Sequence, residues 1–231
     1  MPIQNNYWAH FLENDSYNSF SEIFIKQEYE NYLPNENLNK VIDLGAHYGY
    51  FSLWLQSKSL NRKISSLLIE PSSRCYKSLT NLVAQPELMG NFFFLQGAIG
   101  SNKTESSGFY DRPFMAASLF PCSPNDPQTP VKILKEEEIH KKLSPPYDLI
   151  KCDIEGSEWE LIKNYSKLLN NCKYLILEWH SWHSGGGGYK QLMKELELLN
   201  FAEVKSSPPS PAVGRKGEVG LVLAVNQCFQ N

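Results

Sequence analysis

The sequence predicts an α/β fold with a doubly wound, mostly parallel sheet, and two observations support this. Short runs of β-branched and large apolar residues, typical of strands buried on both faces, recur along the chain. Segments with apolar residues at helical spacing lie between several of these runs. Such an alternation favours parallel strands joined by helical crossovers.

Seven strands are expected in this sheet. They cover residues 40–44, 64–70, 92–95, 148–153, 174–179, 201–205 and 219–225. The connection between the last two contains three prolines and two glycines and has no helical pattern, so we predict an antiparallel hairpin there. Three helices are expected from apolar faces that begin at Cys75, Leu161 and Tyr189.

The first 38 residues differ from the remainder because they are rich in aromatic side chains. These are Tyr7, Trp8, Phe11, Tyr17, Phe20, Phe24, Tyr29 and Tyr32. A segment this short cannot bury a core of its own. We therefore expect residues 1–38 to form a helical cap on the sheet and residues 39–231 to form the main part of a single domain.

Composition excludes several classes of protein. A hydrophobic content of 42% with 20% charged residues is incompatible with a largely disordered chain. The formal net charge of −3 gives no field that would hold a polyanion, so nucleic acid is a poor default partner. No apolar run approaches the roughly 18–20 residues that span a bilayer, and the N-terminus does not resemble a secretory signal. The five cysteines form no C-x-x-C pair, which favours reduced thiols in a cytoplasmic protein.

The most informative segment covers residues 41–51 and reads V-I-D-L-G-A-H-Y-G-Y-F. A strand is expected to end at Asp43 or Leu44, followed by a glycine turn and a helix that opens near Tyr48. In an open α/β sheet, ligands bind at the carboxyl ends of the strands. The sequence therefore predicts a ligand site at this turn.

The residues of this loop indicate which ligand it holds. The dinucleotide fingerprint G-x-G-x-x-G requires a glycine where this loop has His47, and the loop has no lysine or arginine. An imidazole there obstructs the approach of a pyrophosphate, which disfavours an NAD-dependent oxidoreductase. S-adenosylmethionine fits better, because its amino acid end needs backbone donors and its sulfonium tolerates a carboxylate such as Asp43. Glu70, 21 residues after Gly49 and at the end of the next strand, is placed to accept hydrogen bonds from a ribose diol.

Three blocks of sequence resemble the FkbM family of S-adenosylmethionine-dependent methyltransferases. They read D-L-G-A-H-Y-G-Y-F at 43–51, I-E-P at 69–71 and L-I-K-C-D-I-E-G-S-E at 149–158, and their order and separation also match. The resemblance implies a class I methyltransferase (Rossmann-like) fold, a seven-stranded sheet with one antiparallel strand in its last pair, and a sugar, polysaccharide or secondary-metabolite acceptor. One departure is His47, where the family usually shows asparagine.

Together, these patterns define a predicted cofactor site. Ala98, just after the third strand, is expected near the adenine. The residues predicted to hold S-adenosylmethionine are Asp43, Gly45, Ala46, His47, Gly49, Phe51, Glu70, Pro71 and Ala98.

The reaction centre is expected at the ends of the fourth and fifth strands, where Asp153, Glu178 and His180 can converge beside the cofactor. In one interpretation His180 or Asp153 is the general base that takes a hydroxyl proton. In the other, these three side chains hold a divalent cation that lowers the pKa of the acceptor. Glu158 is interpreted as an acid at a helix N-terminus, favoured by the helix dipole.

The prediction from sequence is therefore a methyltransferase that transfers a methyl group from S-adenosylmethionine, most plausibly to a hydroxyl of a small-molecule or glycan acceptor. Three alternatives remain open at this stage: a nitrogen acceptor, an NAD-dependent oxidoreductase, and a non-catalytic binding module that retains the fold. Fold and cofactor alone do not determine the acceptor.

Overall fold

A computed structural model describes residues 1–3, 7–12, 15–59, 62–113, 116–181, 187–212 and 216–229. The strands are β1 (Pro2–Ile3), β2 (Tyr7–Trp8), β3 (Lys40–Leu44), β4 (Ser65–Glu70), β5 (Phe92–Gln96), β6 (Ser106–Phe109), β7 (Thr129–Lys132), β8 (Tyr147–Cys152), β9 (Cys172–His180), β10 (Phe201–Ser206), β11 (Ser210–Pro211) and β12 (Glu218–Asn226). The α-helices are α1 (Ser16–Phe20), α2 (Tyr50–Lys58), α3 (Tyr76–Val83), α4 (Glu136–Lys142), α5 (Glu158–Asn164), α6 (Ser166–Asn170) and α7 (Tyr189–Leu198).

The seven predicted strands form one sheet in the order β10-β12-β9-β8-β3-β4-β5. Strands β9, β8, β3, β4 and β5 pair in parallel, whereas β12 lies antiparallel between β9 and β10. The predicted α/β class and the antiparallel C-terminal pair are confirmed. The strand count differs by one, because the two-residue β11 also pairs with the start of β12. Pro211 in β11 has no N–H group, which a short strand at the edge of the sheet tolerates.

Both faces of the sheet are covered, so successive residues of its central strands enter opposite cores. In β3, Val41 belongs to one buried cluster and Ile42 to the other. In β8, Leu149 and Ile150 divide in the same way. This explains the near-continuous apolar runs in the sequence, because a strand buried on both faces has no polar side.

The N-terminal segment covers one of these faces. Phe20 packs edge-on against Tyr50 of α2, with ring centroids 5.6 Å apart, and Tyr29 packs against Phe51 at 5.2 Å. The segment is only partly helical: besides α1 it has a π-helical turn (Ser21–Ile25), a 3-10 turn (Glu30–Tyr32) and the β1–β2 pair. The division of the chain at residue 38 stays a prediction.

Two local features were not expected. The helix predicted from Leu161 onward is interrupted at Tyr165, giving α5 and α6; there the buried hydroxyl donates to the carbonyl of Leu134 at 2.7 Å. A separate pair, β6 and β7, precedes α4 and has no apolar run to mark it. None of the helices in the described part of the chain is long and apolar enough to cross a membrane.

Candidate active site

The loop after β3 follows a path that only glycine permits at two positions. Gly45 has φ +70°, and a Cβ there would lie 1.8 Å from the carbonyl oxygen of Asp153. Gly49 has φ +79°, and its Cβ would lie 2.4 Å from Cδ2 of Leu82. L-residues with a side chain rarely adopt these angles, and neither contact leaves room for one. The glycines therefore bring the loop against the end of β8 and allow α2 to begin at Tyr50, two residues later than predicted.

His47 also has a positive φ, of 49°. Asparagine and histidine are among the non-glycine residues that adopt this conformation most readily, so the position accepts either. Its backbone N–H donates to Oε2 of Glu70 at 2.8 Å. Burial lowers the pKa of the ring to about 4, so the imidazole is neutral. Within the described structure, Nδ1 of His47 has no hydrogen-bond partner.

Glu70 lies at the end of β4 with its carboxylate held from two sides. Besides the N–H of His47, the N–H of Ser72 donates to Oε1 at 2.8 Å. Burial raises the pKa of Glu70 to about 7, against the opposing effect of these two N–H groups. Each carboxylate oxygen can accept a further hydrogen bond, as a ribose diol would require.

Asp43 and Lys151 lie behind the loop. Oδ2 of Asp43 accepts a hydrogen bond from Ser52 at 2.8 Å, and Oδ1 lies 3.4 Å from Nζ of Lys151. Nζ of Lys151 also donates to the carbonyl oxygen of Gly45 at 2.9 Å. Burial by itself would lower the pKa of Lys151, but Asp43, Asp153 and Glu178 raise it to about 12. A permanent cation therefore links the glycine loop to the carboxylates around it.

A cavity of about 410 Å³ opens above the carboxyl ends of these strands. Of the residues predicted to hold the cofactor, those in the cavity wall are Gly45, Ala46, His47, Phe51, Glu70, Pro71 and Ala98. Asp43 and Gly49 are not part of the wall: Asp43 is fully buried beneath the loop, and Gly49 caps α2. The structure does not place the Asp43 carboxylate where it could touch a sulfonium, because Lys151 and Ser52 hold it below the loop.

All three side chains predicted for the reaction centre line the same cavity. The hydroxyl of Tyr29 lies between two of them, 3.3 Å from Oδ2 of Asp153 and 3.2 Å from Oε2 of Glu178. Burial and the neighbouring Asp153 raise the pKa of Glu178 well above its usual range, although His180 opposes this. The cavity therefore contains a carboxylate pair that shares one hydroxyl donor.

His180 is joined to a buried acid rather than exposed as a free base. Its Nδ1 lies 3.0 Å from Oε1 of Glu158, and its Nε2 lies 3.7 Å from Oε1 of Glu178. Burial would lower the pKa of His180, but Glu158 outweighs it and the pKa rises to about 10. The ring is therefore an imidazolium at neutral pH, which orients and balances the carboxylates.

Glu158 does lie at the start of α5, as the dipole argument requires, but it also has a second role. Its Oε1 accepts hydrogen bonds from the N–H groups of Ile154 and Gly156, at 3.2 and 3.1 Å. This closes the turn between β8 and α5 and fixes the acid beneath His180. The side chain is fully buried, which the sequence pattern does not reveal.

The metal interpretation stays a prediction. The side chains that come together are Asp153, Glu155 and His180, with ligand atoms within 4.8 Å of one another, whereas the sequence favoured Glu178 as the third member. These residue types suit a divalent cation, and a histidine that donates Nδ1–H to a carboxylate, as His180 can to Glu158, keeps Nε2 for a metal. We derive no step through a metal.

Sequence reasoning missed Tyr29 as a site residue and gave Lys151 no role. Tyr29 is one of many aromatic residues in the first 38, and its glutamate neighbours do not distinguish a site residue from a surface segment. A lysine inside the apolar run of β8 is the one available signal for Lys151, because a buried lysine requires paired carboxylates.

The fold and the cavity define a class of enzyme. A seven-stranded sheet with one inserted antiparallel strand, a glycine loop after its first parallel strand and an acid at the end of the next are the features of a class I S-adenosylmethionine-dependent methyltransferase. A family model, the methyltransferase FkbM domain, matches residues 43–203. The chain belongs to this FkbM methyltransferase family.

Solved structures share the fold at low sequence identity. A methyltransferase FkbM from Methylobacillus flagellatus KT has a TM-score of 0.54 and 16% identity, over 91% of this chain and 50% of that one. TrmK of M. capricolum, with S-adenosyl-homocysteine, has a TM-score of 0.52 and 13% identity, over 88% and 68%. The magnesium protoporphyrin IX methyltransferase ChlM from Synechocystis PCC 6803, with bound S-adenosylmethionine, has a TM-score of 0.51 and 13% identity, over 96% and 88%. No curated protein matches the chain.

S-adenosylmethionine is the cofactor of this family, two of these structures contain it or its product S-adenosyl-homocysteine, and the residues present fit it. The glycine loop leaves a cradle that a Cβ at Gly45 would fill. Glu70 retains free acceptor capacity at the wall of the cavity, and Nδ1 of His47 is an unused polar atom within the described structure.

Proposed function

We propose that this methyltransferase methylates a hydroxyl of a small-molecule or glycan acceptor. The observation that carries the proposal is the continuity of one cavity from the glycine loop and Glu70 to the pair Asp153 and Glu178. S-adenosylmethionine, when bound, supplies an electrophilic methyl group on its sulfonium. The residues of the chain then have to hold the cofactor, align the acceptor oxygen and remove its proton.

The cofactor end supports a division of roles among the predicted residues. Gly45, Ala46 and His47 offer backbone at the loop, and the carboxylate of Glu70 would accept hydrogen bonds from the ribose hydroxyls. Pro71, Ala98 and Phe51 would give apolar contacts, with the first two beside the adenine. Asp43 and Gly49 would not touch the cofactor and would contribute by fixing the conformation of the loop. These assignments are part of the proposal.

Glu178 is the side chain we propose as the base. A carboxylate becomes a stronger general base as its pKa rises, and burial together with Asp153 raises the pKa of Glu178 well above its usual range. Asp153 would orient the acceptor hydroxyl beside it. His180, held as a cation by Glu158, would position Glu178 and balance the charge of the pair.

The charges at this end favour a small-molecule or glycan acceptor over a nucleic acid. Glu22, Glu28 and Glu155 line the cavity together with Asp153 and Glu178. Carboxylates at the entrance repel phosphates, whereas sugar hydroxyls donate to them readily.

The five cysteines are free thiols, which favours a reducing compartment, and we propose the cytoplasm.

The test follows a ¹³C-labelled methyl group. The enzyme is incubated with S-adenosylmethionine that carries the label and with an extract of the organism that encodes it, and the products are resolved by NMR. We expect a methoxy carbon in the small-molecule or glycan fraction. An N-methyl carbon, a label in RNA, or no label above the enzyme-free control would each contradict the proposal.

A further inference from the structure

The N-terminal segment contributes two carboxylates to the wall of the active-site cavity. Glu22 lies in the π-helical turn Ser21–Ile25, and Glu28 lies shortly after it. Both line the cavity that contains Asp153 and Glu178. Both also precede residue 43, where the match to the family model begins. They therefore lie outside the residues that the family model matches.

These carboxylates add to an excess of negative charge. The cations that line the same cavity already pair with acids that are not part of its wall: Lys151 with Asp43, His180 with Glu158, Arg74 with Asp15 and Arg112 with Asp126. Glu22 has a lysine partner, Lys26, at 4.0 Å on the exposed side of its helical turn. Burial and the neighbouring Asp153 raise the pKa of Glu22, which is partly buried. Glu28 is more exposed to solvent, so burial contributes less to its raised pKa than its acidic neighbours Glu22 and Asp153 do.

A buried hydroxyl in the cavity wall has no hydrogen-bond partner among the described residues. Ser157 belongs to the turn after Asp153 and lines the cavity, yet its side chain is only 2% exposed. Within the described residues, its Oγ makes no hydrogen bond. A buried hydroxyl without a partner is costly, and a bound polar molecule would supply the missing hydrogen bond.

The residues predicted to hold the cofactor do not include Glu22 and Glu28. S-adenosylmethionine offers a sulfonium and an ammonium group, and the sulfonium has to approach Asp153 and Glu178 to deliver its methyl group. The predicted cofactor contacts lie on the glycine loop and near Glu70, whereas Glu22 and Glu28 enter from a different element. These two carboxylates therefore remain available to a cationic group of the acceptor.

We infer that the acceptor carries a protonated amino group, bound by Glu22 and Glu28, beside the hydroxyl that receives the methyl group. The acceptor class is then an amino sugar or another amino alcohol, and this rests on the proposed O-methylation. An amine held as an ammonium ion by two carboxylates has no free lone pair, so it does not compete with the hydroxyl for the methyl group.

The first experiment separates acceptors by charge. A small-molecule extract is divided at neutral pH on cation and anion exchangers, and each fraction is offered to the enzyme with labelled S-adenosylmethionine. We expect the methylated hydroxyl compound to come from the fraction retained on the cation exchanger. O-methylation of a compound from the flow-through or the anion exchanger would overturn the inference and leave the proposed function standing. Label on nitrogen or in no fraction would instead contradict the proposed function.

The second experiment uses the active fraction with Glu22→Gln and Glu28→Gln variants. We expect each to raise KM for the acceptor about tenfold, the loss expected for a hydrogen bond between charged groups. The value of kcat and the Kd for S-adenosyl-homocysteine should stay within about twofold of the wild type. Glu105→Gln is the matched control, because this side chain is 91% exposed and outside the cavity. An unchanged KM, or a weakened cofactor Kd, would overturn the inference.

Discussion

The two ends of the active-site cavity are built in different ways. The cofactor end is built around one short loop, of which residues 45–47 line the cavity, and around Glu70 from the neighbouring strand. The acceptor end consists of side chains that come together from distant parts of the chain: Tyr29 meets Asp153 and Glu178 across 124 and 149 residues. The cofactor end depends on local conformation, and the acceptor end depends on the completed fold. Substitutions at the two ends should therefore impair the enzyme in different ways.

The largest effect is expected for Gly45→Ala at the cofactor end. The added Cβ meets the backbone carbonyl of Asp153 at 1.8 Å, and the residue must also hold φ +70°. Backbone cannot yield as a flexible side chain does, so we expect a loss of more than about 4 kcal/mol in unfolding free energy. Cofactor binding should be lost with it. Thermal unfolding and calorimetric titration with S-adenosyl-homocysteine measure the two effects.

Gly90→Ala is the matched control for this substitution. Gly90 has a similar φ, +81°, but its Cβ would have no atom within 4 Å. The variant should therefore show only the strain of the left-handed conformation, about 1–2 kcal/mol, with unchanged cofactor affinity. Equal losses in the two variants would mean that conformational strain, and not the contact with Asp153, makes Gly45 essential.

Glu178→Gln should have the next largest effect, at the acceptor end. The amide keeps the shape of the side chain but cannot take a proton, so kcat is expected to fall by about 10²- to 10⁴-fold. The affinity for S-adenosyl-homocysteine should change little, because Glu178 is not among the residues that hold the cofactor. Glu36→Gln, at an exposed ion pair with Lys173 outside the cavity, should leave both values unchanged.

The pH dependence gives an independent check on Glu178. A base must be deprotonated to act, so activity should be present at high pH and lost as pH falls through its pKa. Because burial and Asp153 raise that pKa, the loss should occur above the usual carboxyl range. A wild-type profile that is flat down to the ordinary pKa of a glutamate would assign the proton transfer to another group.

Glu70→Gln should have an effect of intermediate size on cofactor binding. The new amide must place its NH₂ group against the N–H of His47 or of Ser72, and the charge that attracts the ribose hydroxyls is lost. We expect cofactor binding to weaken by about 1.5–3 kcal/mol. With a pKa of about 7, wild-type Glu70 gains its charge as pH rises, so cofactor affinity should increase between pH 6 and 8. The variant should lose this dependence, and a dependence that persists would rule out Glu70 as its source.

The same contrast explains what the sequence could predict. The strands and the glycine loop follow from local patterns, namely buried apolar runs and glycines at a turn. Strand β3 was therefore predicted with its observed bounds, and seven of the nine residues predicted to hold the cofactor line the cavity. The partners of His180 could not be predicted, because the local sequence does not tell whether a histidine ring contacts a buried glutamate or solvent. Glu158 becomes its partner only through the turn that the N–H groups of Ile154 and Gly156 close.

The smallest effect is expected for Tyr29→Phe, which removes one hydroxyl from the acceptor end. The ring would keep its packing against Phe51, so the free energy of unfolding should change by no more than about 1 kcal/mol. The lost hydrogen bonds, 3.2 and 3.3 Å long, exceed the usual O–H···O distance, so kcat should fall only about fivefold. Without this donor, Asp153 and Glu178 repel each other more strongly, and the acid limb of the pH profile should move to higher pH. A lower kcat without that shift would mean that Tyr29 only shapes the cavity, and that the distant side chains of the acceptor end do not act as one electrostatic unit.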